Sequence, residues 1–349
     1  MSLPASPLRL GTRASPLALA QAQLVRAALC ATQRWDLATV EIVPMTASGD
    51  KILDRSLADL GGKALWTKEL DRALMESSID FAVHSMKDVE TIRPDALHIA
   101  AMLPRADVRD RLIGAPSIAA PSIAALPVGA RIGTNSPRRS AQLKRARPDV
   151  EIILFRGNVA TRLAKLGAGE ADATLLAAAG LDRLGLSETG VGIDIDEMLP
   201  APAQGAVGIE VRRDDTATRT RIASINDPAT MTCVLTERSF LAALAAGCHS
   251  PVAALAVMAG ASIQLRAELI SPDGKECVRG EEWISSPEDA AGLAYELLGN
   301  ASPALRALFD AWGLTREPIR PDPAPGTWQC SHGYIGKGTG AERCWLSLV

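Results

Sequence analysis

Two similar α/β domains around a cleft, followed by a small α+β domain, are the fold the sequence predicts, on three observations. A strand-like stretch twice ends in Gly-Thr before a Ser-Pro pair opens a helix: Leu10-Gly11-Thr12-Arg13-Ala14-Ser15-Pro16 and Ile132-Gly133-Thr134-Asn135-Ser136-Pro137. Val40-Glu41-Ile42-Val43 then returns as Val150-Glu151-Ile152-Ile153, and Asp80-Phe81-Ala82-Val83 as Asp172-Ala173-Thr174-Leu175. The shared order indicates two similarly wound units, with extra residues inserted in the first. From Asp227 the pattern changes to a helix, three strand-like segments and a second helix.

The first unit starts near Leu8 and reads strand, Ser15-capped helix through Cys30, strand 40–43, helix near 67–77, a strand ending at His84 and another around 98–102. Ser is a good N-cap and Pro a good first helical residue, so each Gly-Thr junction leaves a helix N-terminus that favours an anion. The second unit occupies 109–200, with a loop or short helix over 115–127. Turn-rich Pro200-Ala201-Pro202-Ala203-Gln204-Gly205 reads as a crossing between domains, and the apolar strand 206–211 returns to the first sheet. The first domain is therefore discontinuous, 8–105 with 204–224. The third domain, 227–317, takes a helix over 230–245, strands 252–258, 262–270 and 276–284, and a helix opened by Ser286-Pro287-Glu288-Asp289. Residues 318–349 are Pro-rich and then lack periodicity, the mark of a poorly ordered tail.

A chain of 349 residues with 47% hydrophobic and 22% charged residues suits two or three ordinary domains. No apolar run is long enough to cross a bilayer, and the first residues lack a basic region followed by an apolar one, so a cytoplasmic protein with no membrane partner is expected. Six cysteines spread singly argue against both a disulfide scaffold and a zinc site, and no metal is expected. Net charge of −3 gives a nucleic-acid partner no support. Arginine outnumbers lysine 29 to 8, partly a composition bias, but Arg138, Arg139, Arg145, Arg147, Arg156 and Arg162 fall in one short region. Arg presents a planar fork suited to carboxylates.

Four junctions carry chemistry. Phe81-Ala82-Val83-His84-Ser85-Met86-Lys87-Asp88 delivers four polar side chains at the end of a buried strand, where open α/β sheets place ligands, or else forms a loop whose Asp caps a turn. Gly61-Gly62-Lys63 is a flexible loop with one cation. Arg156-Gly157-Asn158-Val159-Ala160-Thr161-Arg162 puts one Arg before a helix and one in its first turns, either facing the cleft or on the surface. Cys248, between Gly247 and His249 in a loop after a helix, is either a small buried hydrophobe or a presented thiol, which His249 would activate if its ring reached back.

Taken in order, these segments resemble the hydroxymethylbilane synthase family, also called porphobilinogen deaminase, over about residues 8–300. The motifs are Gly11-Thr12-Arg13 with Ser15-Pro16-Leu17-Ala18, Gly61-Gly62-Lys63 with Lys68-Glu69-Leu70, and His84-Ser85-Met86-Lys87-Asp88. Further along come Gly133-Thr134 with Ser136 and Arg138-Arg139, Arg156-Gly157-Asn158-Val159 with Thr161-Arg162, Gln204-Gly205-Ala206, and Glu237-Arg238 leading to Gly247-Cys248. The resemblance implies two domains like those of periplasmic binding proteins plus a third. It implies a transferase that joins four porphobilinogen molecules head to tail, losing ammonia each time, on a dipyrromethane primer held by a Cys thioether, and then releases the linear tetrapyrrole. On that resemblance Asp88 is catalytic. Cofactor binding falls to Cys248, Lys87, Ser85, Thr134, Ser136, Arg138, Arg139, Arg156, Gly157 and Arg162, and substrate binding to Arg13, Ser15, Lys63 and Gln204. A monomer is implied.

The sequence departs from the family at four places. Asn135 and Pro137 stand where Ser and Leu are common, Ala203 where Gly often precedes Gln-Gly, and Ala246 for the first Gly of Gly-Gly-Cys. An Ala at either of the last two positions is strained if the backbone there needs positive φ. The rival reading is a non-catalytic two-lobed binder of a small anion, which would have no use for Cys248 on a third domain or Asp88 among cations.

Overall fold

A computed structural model of the protein describes residues 4, 6–46, 67–118, 120–310, 327–329 and 335–337. The chain opens with β1 (Leu8–Arg13) and α1 (Pro16–Gln33), then β2 (Val40–Met45), α2 (Lys68–Met75), β3 (Phe81–Ser85) and β4 (Leu97–Met102). Ser15 caps α1 by accepting from the Ala18 N–H at 3.3 Å, with Pro16 behind it. After a first crossing come β5 (Asp110–Gly114), β6 (Arg131–Thr134), α3 (Pro137–Ala146), β7 (Glu151–Leu154), α4 (Val159–Gly167), β8 (Ala173–Ala177), α5 (Ala178–Arg183) and β9 (Val191–Gly192). The described residues of segment 115–127 form no helix. A second crossing leads to β10 (Val207–Arg212) and α6 (Thr216–Ala223).

Two five-stranded sheets result, ordered β2-β1-β3-β10-β4 and β7-β6-β8-β5-β9. In each, three parallel strands are followed by a fourth that runs antiparallel, and that fourth strand comes directly after a crossing. The repeat in sequence is thus a repeat in winding. It fixes glycine at both Gly-Thr junctions for packing reasons. A Cβ on Gly11 would lie 2.3 Å from Ile79 Cδ1, and one on Gly133 2.4 Å from the Phe155 ring. Leu10, Val25, Leu29, Phe81 and Ile209 fill the first core; Leu112, Ile132, Leu143 and Leu175 fill the second.

The third unit packs α7 (Pro228–Ala243) and α8 (Ala290–Asn300) on one face of the antiparallel sheet β11 (Val252–Ala259), β12 (Ser262–Ile270) and β13 (Cys277–Ile284), with α9 (Pro303–Asp310) following. Phe240, Leu265, Leu269, Leu293 and Leu297 are its buried centre. Within the C-terminal segment, β14 (Thr327–Gln329) and β15 (Ile335–Lys337) pair antiparallel, regular structure that the composition did not predict.

Glu237, fully buried on α7, ties the units together. It takes both ends of the Arg105 guanidinium at 2.7 and 3.0 Å, the Ala203 N–H at 2.5 Å and the Ala256 N–H at 2.8 Å. One carboxylate therefore joins the first crossing, the second crossing and the third unit, with every acceptor position used. Against the second lobe, the third unit sets Arg266 on Asp196 at 2.7 Å and Glu268 on Gln142 at 3.2 Å. No helix among the described residues is long and apolar enough to cross a membrane.

Candidate active site

The ends of β1, β3, β6 and β8 face one another across a cavity of about 530 Å³ between the lobes. The first lobe contributes Arg13, Ser15, Ser85, Lys87 and Asp88; the second contributes Arg139, Arg156, Gly157, Arg162 and Arg183. Six cations, Arg13, Lys87, Arg139, Arg156, Arg162 and Arg183, thus line it together with one carboxylate among the described residues, Asp88. Such a site concentrates anions strongly.

Crowding leaves its mark on the cations. Lys87 is pushed down to about 8, by loss of hydration first and then by Arg139 and Arg138, against the opposing pull of Asp88 and Asp110. Arg162 is lowered to about 10 by burial, with Arg139 and Arg156 adding to it. Burial likewise lowers Arg183, whose Nη2 donates to the Gly205 carbonyl at 2.6 Å. Each of these groups regains favourable interaction when a carboxylate enters.

Asp88 ends a short helical turn, Met86–Asp88, directly after β3. Ser85 beside it exchanges hydrogen bonds with Gln21 of α1, at 2.8 and 3.0 Å. His84 turns the other way, into the core, where its Nε2 meets Glu210 at 3.1 Å. Glu210 also receives Arg93 at 2.9 and 2.8 Å and is held down to about 2: burial pushes upward, but His84 and Arg93 outweigh it. Of the four polar side chains that β3 was expected to deliver, three line the cavity and His84 anchors the strand from behind. A second small space of about 50 Å³ between α1 and β3 continues the cavity and touches Asp88, Ser85 and His84.

In the second lobe Asn158 caps α4, accepting from the Thr161 N–H at 2.9 Å, and Gly157 precedes it at φ +106°. A Cβ there would crowd Thr161 at 2.7 Å, so only glycine turns Arg156 toward the cavity and starts the helix at once. Arg162 Nε donates to the Gly157 carbonyl at 3.0 Å, leaving its fork to the cavity.

Other expected ligand contacts are used inside the protein instead. Adjacent residues on a helix point about 100° apart, so Arg138 and Arg139 cannot both face the cleft. Arg138 is buried, giving its Nη atoms to Asp110 at 2.8 Å, to Gln142 at 2.9 Å and to the Leu199 carbonyl at 3.1 Å. Arg139 reaches the same Asp110 at 2.7 Å and the Leu175 carbonyl at 2.9 Å while lining the cavity. Gln204 donates to Asp110 at 2.9 Å and to the Val108 carbonyl at 2.8 Å, so it braces the second crossing and does not line the cavity. Burial would raise Asp110, but the two arginines outweigh it and hold it far below the usual carboxylate range. Thr134 accepts from the Ser136 N–H at 3.2 Å, and Ser136 accepts from the Arg139 N–H at 3.4 Å. Both hydroxyls shape the start of α3. Lys63, with its Gly61-Gly62 pair, lies outside the described residues, as do Cys330, His332 and Cys344.

Cys248 is exposed, in the loop between α7 and β11. Although open to solvent on one side, its thiol is recessed: partial loss of hydration first, then Asp88 and Glu90, push it up to about 12. His249 gives it no help. Burial lowers the pKa of that ring, and its Nδ1 is buried with no hydrogen-bond partner. The thiol is therefore within the electrostatic reach of Asp88, although Cys248 is not among the residues that line the cavity.

Residues 8–220 match the family model described as porphobilinogen deaminase, dipyromethane cofactor binding domain, and residues 231–300 match the model of the porphobilinogen deaminase C-terminal domain. The chain belongs to the porphobilinogen deaminase family. The porphobilinogen deaminase of Sphingopyxis alaskensis is 54% identical over 310 residues, 88% of this chain and 98% of that protein. That of Paracoccus denitrificans is 46% identical over 85% of this chain and 96% of its own. An arginine-specific periplasmic binding protein of Salmonella typhimurium is 14% identical over 65% of this chain and 94% of its own, with a TM-score of 0.37. The enzyme is a transferase that condenses porphobilinogen on a dipyrromethane cofactor. The donor set fits that group, since a carboxylate-bearing oligopyrrole needs clustered cations and a thiol for its anchor. Sequence reasoning overlooked Arg183 and Asp110. Arg183 follows a run of apolar and small residues, and Asp110 opens a largely buried strand; neither sits in a distinctive motif.

Proposed function

We propose that Cys248 carries the dipyrromethane through a thioether and that Asp88 is the catalytic carboxylate. One observation carries both: among the described residues Asp88 is the lone carboxylate beside six lining cations, and the Cys248 thiol lies within its field. The bound cofactor supplies the nucleophilic pyrrole end on which the product is extended. Arg139, Arg156, Arg162 and Arg183 bind carboxylates of the growing product with planar forks, and Lys87 adds a point charge. Arg13 and Ser15, at the N-terminus of α1, receive the incoming porphobilinogen, whose acetate and propionate suit a cation beside free N–H groups. Asp88 accepts the pyrrole N–H of that ring and stabilises the positive charge that develops as ammonia leaves. Thr134, Ser136, Arg138 and Gln204 act at one remove, holding α3 and Arg139 in place.

We further propose domain limits of 8–105 with 204–224, 109–200 and 227–317, the last bearing Cys248, and a tail over 318–349. A cytoplasmic monomer without nucleic-acid or membrane partners accords with the net charge of −3. Light scattering of the holoenzyme tests the monomer.

Intact-mass analysis of protein from a haem-synthesising host, followed by peptide mapping, tests the assignment. A dipyrromethane-sized adduct on Cys248 is expected, and Cys248→Ser should abolish it. Asp88→Asn should fold yet lose about 10²-fold or more in turnover. An unmodified mass for folded wild-type protein would overturn the Cys248 assignment. Near-normal turnover by Asp88→Asn would overturn that of Asp88.

A further inference from the structure

We infer that Thr91 is a positioning residue, its hydroxyl setting the loop of Cys248 at a fixed place relative to Asp88. The inference rests on the assignment of those two residues above. Thr91 Oγ1 donates to the Ala246 carbonyl at 2.9 Å, two residues before Cys248 and three after Asp88. Among the described residues it is the hydrogen bond by which the first lobe reaches segment 246–250.

Both ends of this tether are built for the purpose. On the Asp88 side, Arg238 of α7 is buried and clamps three successive carbonyls, those of Val89 at 3.3 Å, Glu90 at 2.6 Å and Thr91 at 2.9 Å. Arg93 holds the Glu90 carboxylate at 2.7 Å. The segment carrying Thr91 is thus fixed through both backbone and side chains. On the Cys248 side, Ala246 is buried at the edge of the third unit's core, and the chain turns outward from there to the exposed Cys248. The Ala246 N–H returns to the Leu241 carbonyl at 2.9 Å, and Ser250 closes a turn on Gly247 at 3.0 Å. A Cβ built on Gly247 would meet nothing within 4 Å. Glycine adds no side-chain contact to fix the loop past Ala246, and the Thr91 hydroxyl fixes the carbonyl one residue before that glycine.

A tether of this kind changes how often the reacting end stands at Asp88, not how tightly free substrate binds. Removing the hydroxyl should therefore lower kcat while sparing KM. Thr91→Val and Thr91→Ser holoenzymes are compared with wild type for kcat, KM and thermal midpoint, with peptide maps locating the primer in each. For Thr91→Val a fall in kcat of about 5- to 10-fold is expected, the range a single hydrogen bond supports. KM should stay within about twofold, and Thr91→Ser should restore kcat. Primer lost from the Val variant but kept by Ser supports the same role. Wild-type kcat in Thr91→Val, with or without a lowered midpoint, overturns it, as does an equal loss in both variants. A wild-type map that finds the primer elsewhere than Cys248 defeats the attachment assignment and is read separately from the variants.

Discussion

Lys87 stands between two influences, a cluster of arginines that penalises its charge and an incoming carboxylate that rewards it. Its pKa falls from 10.5 to about 8 in the folded protein, so between those values the folded state holds fewer protons than the unfolded one. A bound anion favours the protonated amine. Affinity for an anionic ligand should thus be steady below pH 8 and decline as pH rises through it. Calorimetric titration of primer-free Cys248→Ser protein with porphobilinogen at pH 7, 8 and 9 checks this; adding Lys87→Gln should remove the decline, and a flat profile with Lys87 intact would refute it. The residue scale is also where sequence reading was most uneven. Asp88, Arg139, Arg156 and Arg162 were legible because each sits at an apolar-to-polar junction beside a strand end. Arg138 and Gln204, expected at the ligand, bond the buried Asp110 carboxylate, because a motif records which residues are needed and not what needs them.

At the scale of elements, helix starts and strand order were legible and loop geometry only in part. Ser15, Ser136 and Asn158 cap helices as their positions suggest, since capping is a local interaction, whereas the helix expected from 230 starts two residues earlier, capped by Asp227. Backbone strain depends on tertiary contacts and was legible at one of two doubtful alanines. Ala203 does adopt φ +61°, whereas the left-handed residue near Cys248 is Ala245, at φ +50°, and not Ala246. Two residues on, Gly205 has φ +85°, and a Cβ there would lie 2.6 Å from the Ala106 carbonyl oxygen of the other crossing. Gly205→Ala should therefore cost about 2 kcal/mol or more. Ala203→Gly should stay within about 1 kcal/mol, because relief of strain is offset by a lost buried methyl and a looser unfolded chain. Urea titration of the two variants checks the contrast, and equal midpoints would refute it.

At the scale of the molecule, the family models match 8–220 and 231–300, and the Sphingopyxis alaskensis relative is covered almost completely by 310 residues of this chain. Truncation after Glu317 should consequently leave turnover and primer content close to those of the full chain. Loss of either, measured by assay and intact mass, would give the segment a structural part. The winding has one more effect, on the order in which the protein can form. β10 lies between β3 and β4, so the first sheet stays divided until residues 207–212 have been synthesised. Every strand of the second sheet is present by residue 192. During synthesis the lobe that begins later can close first, while the earlier one waits with two unpaired strand edges. The enzyme's first lobe is therefore expected to complete after its second, and faster synthesis through residue 212 would shorten the time those edges stay unpaired.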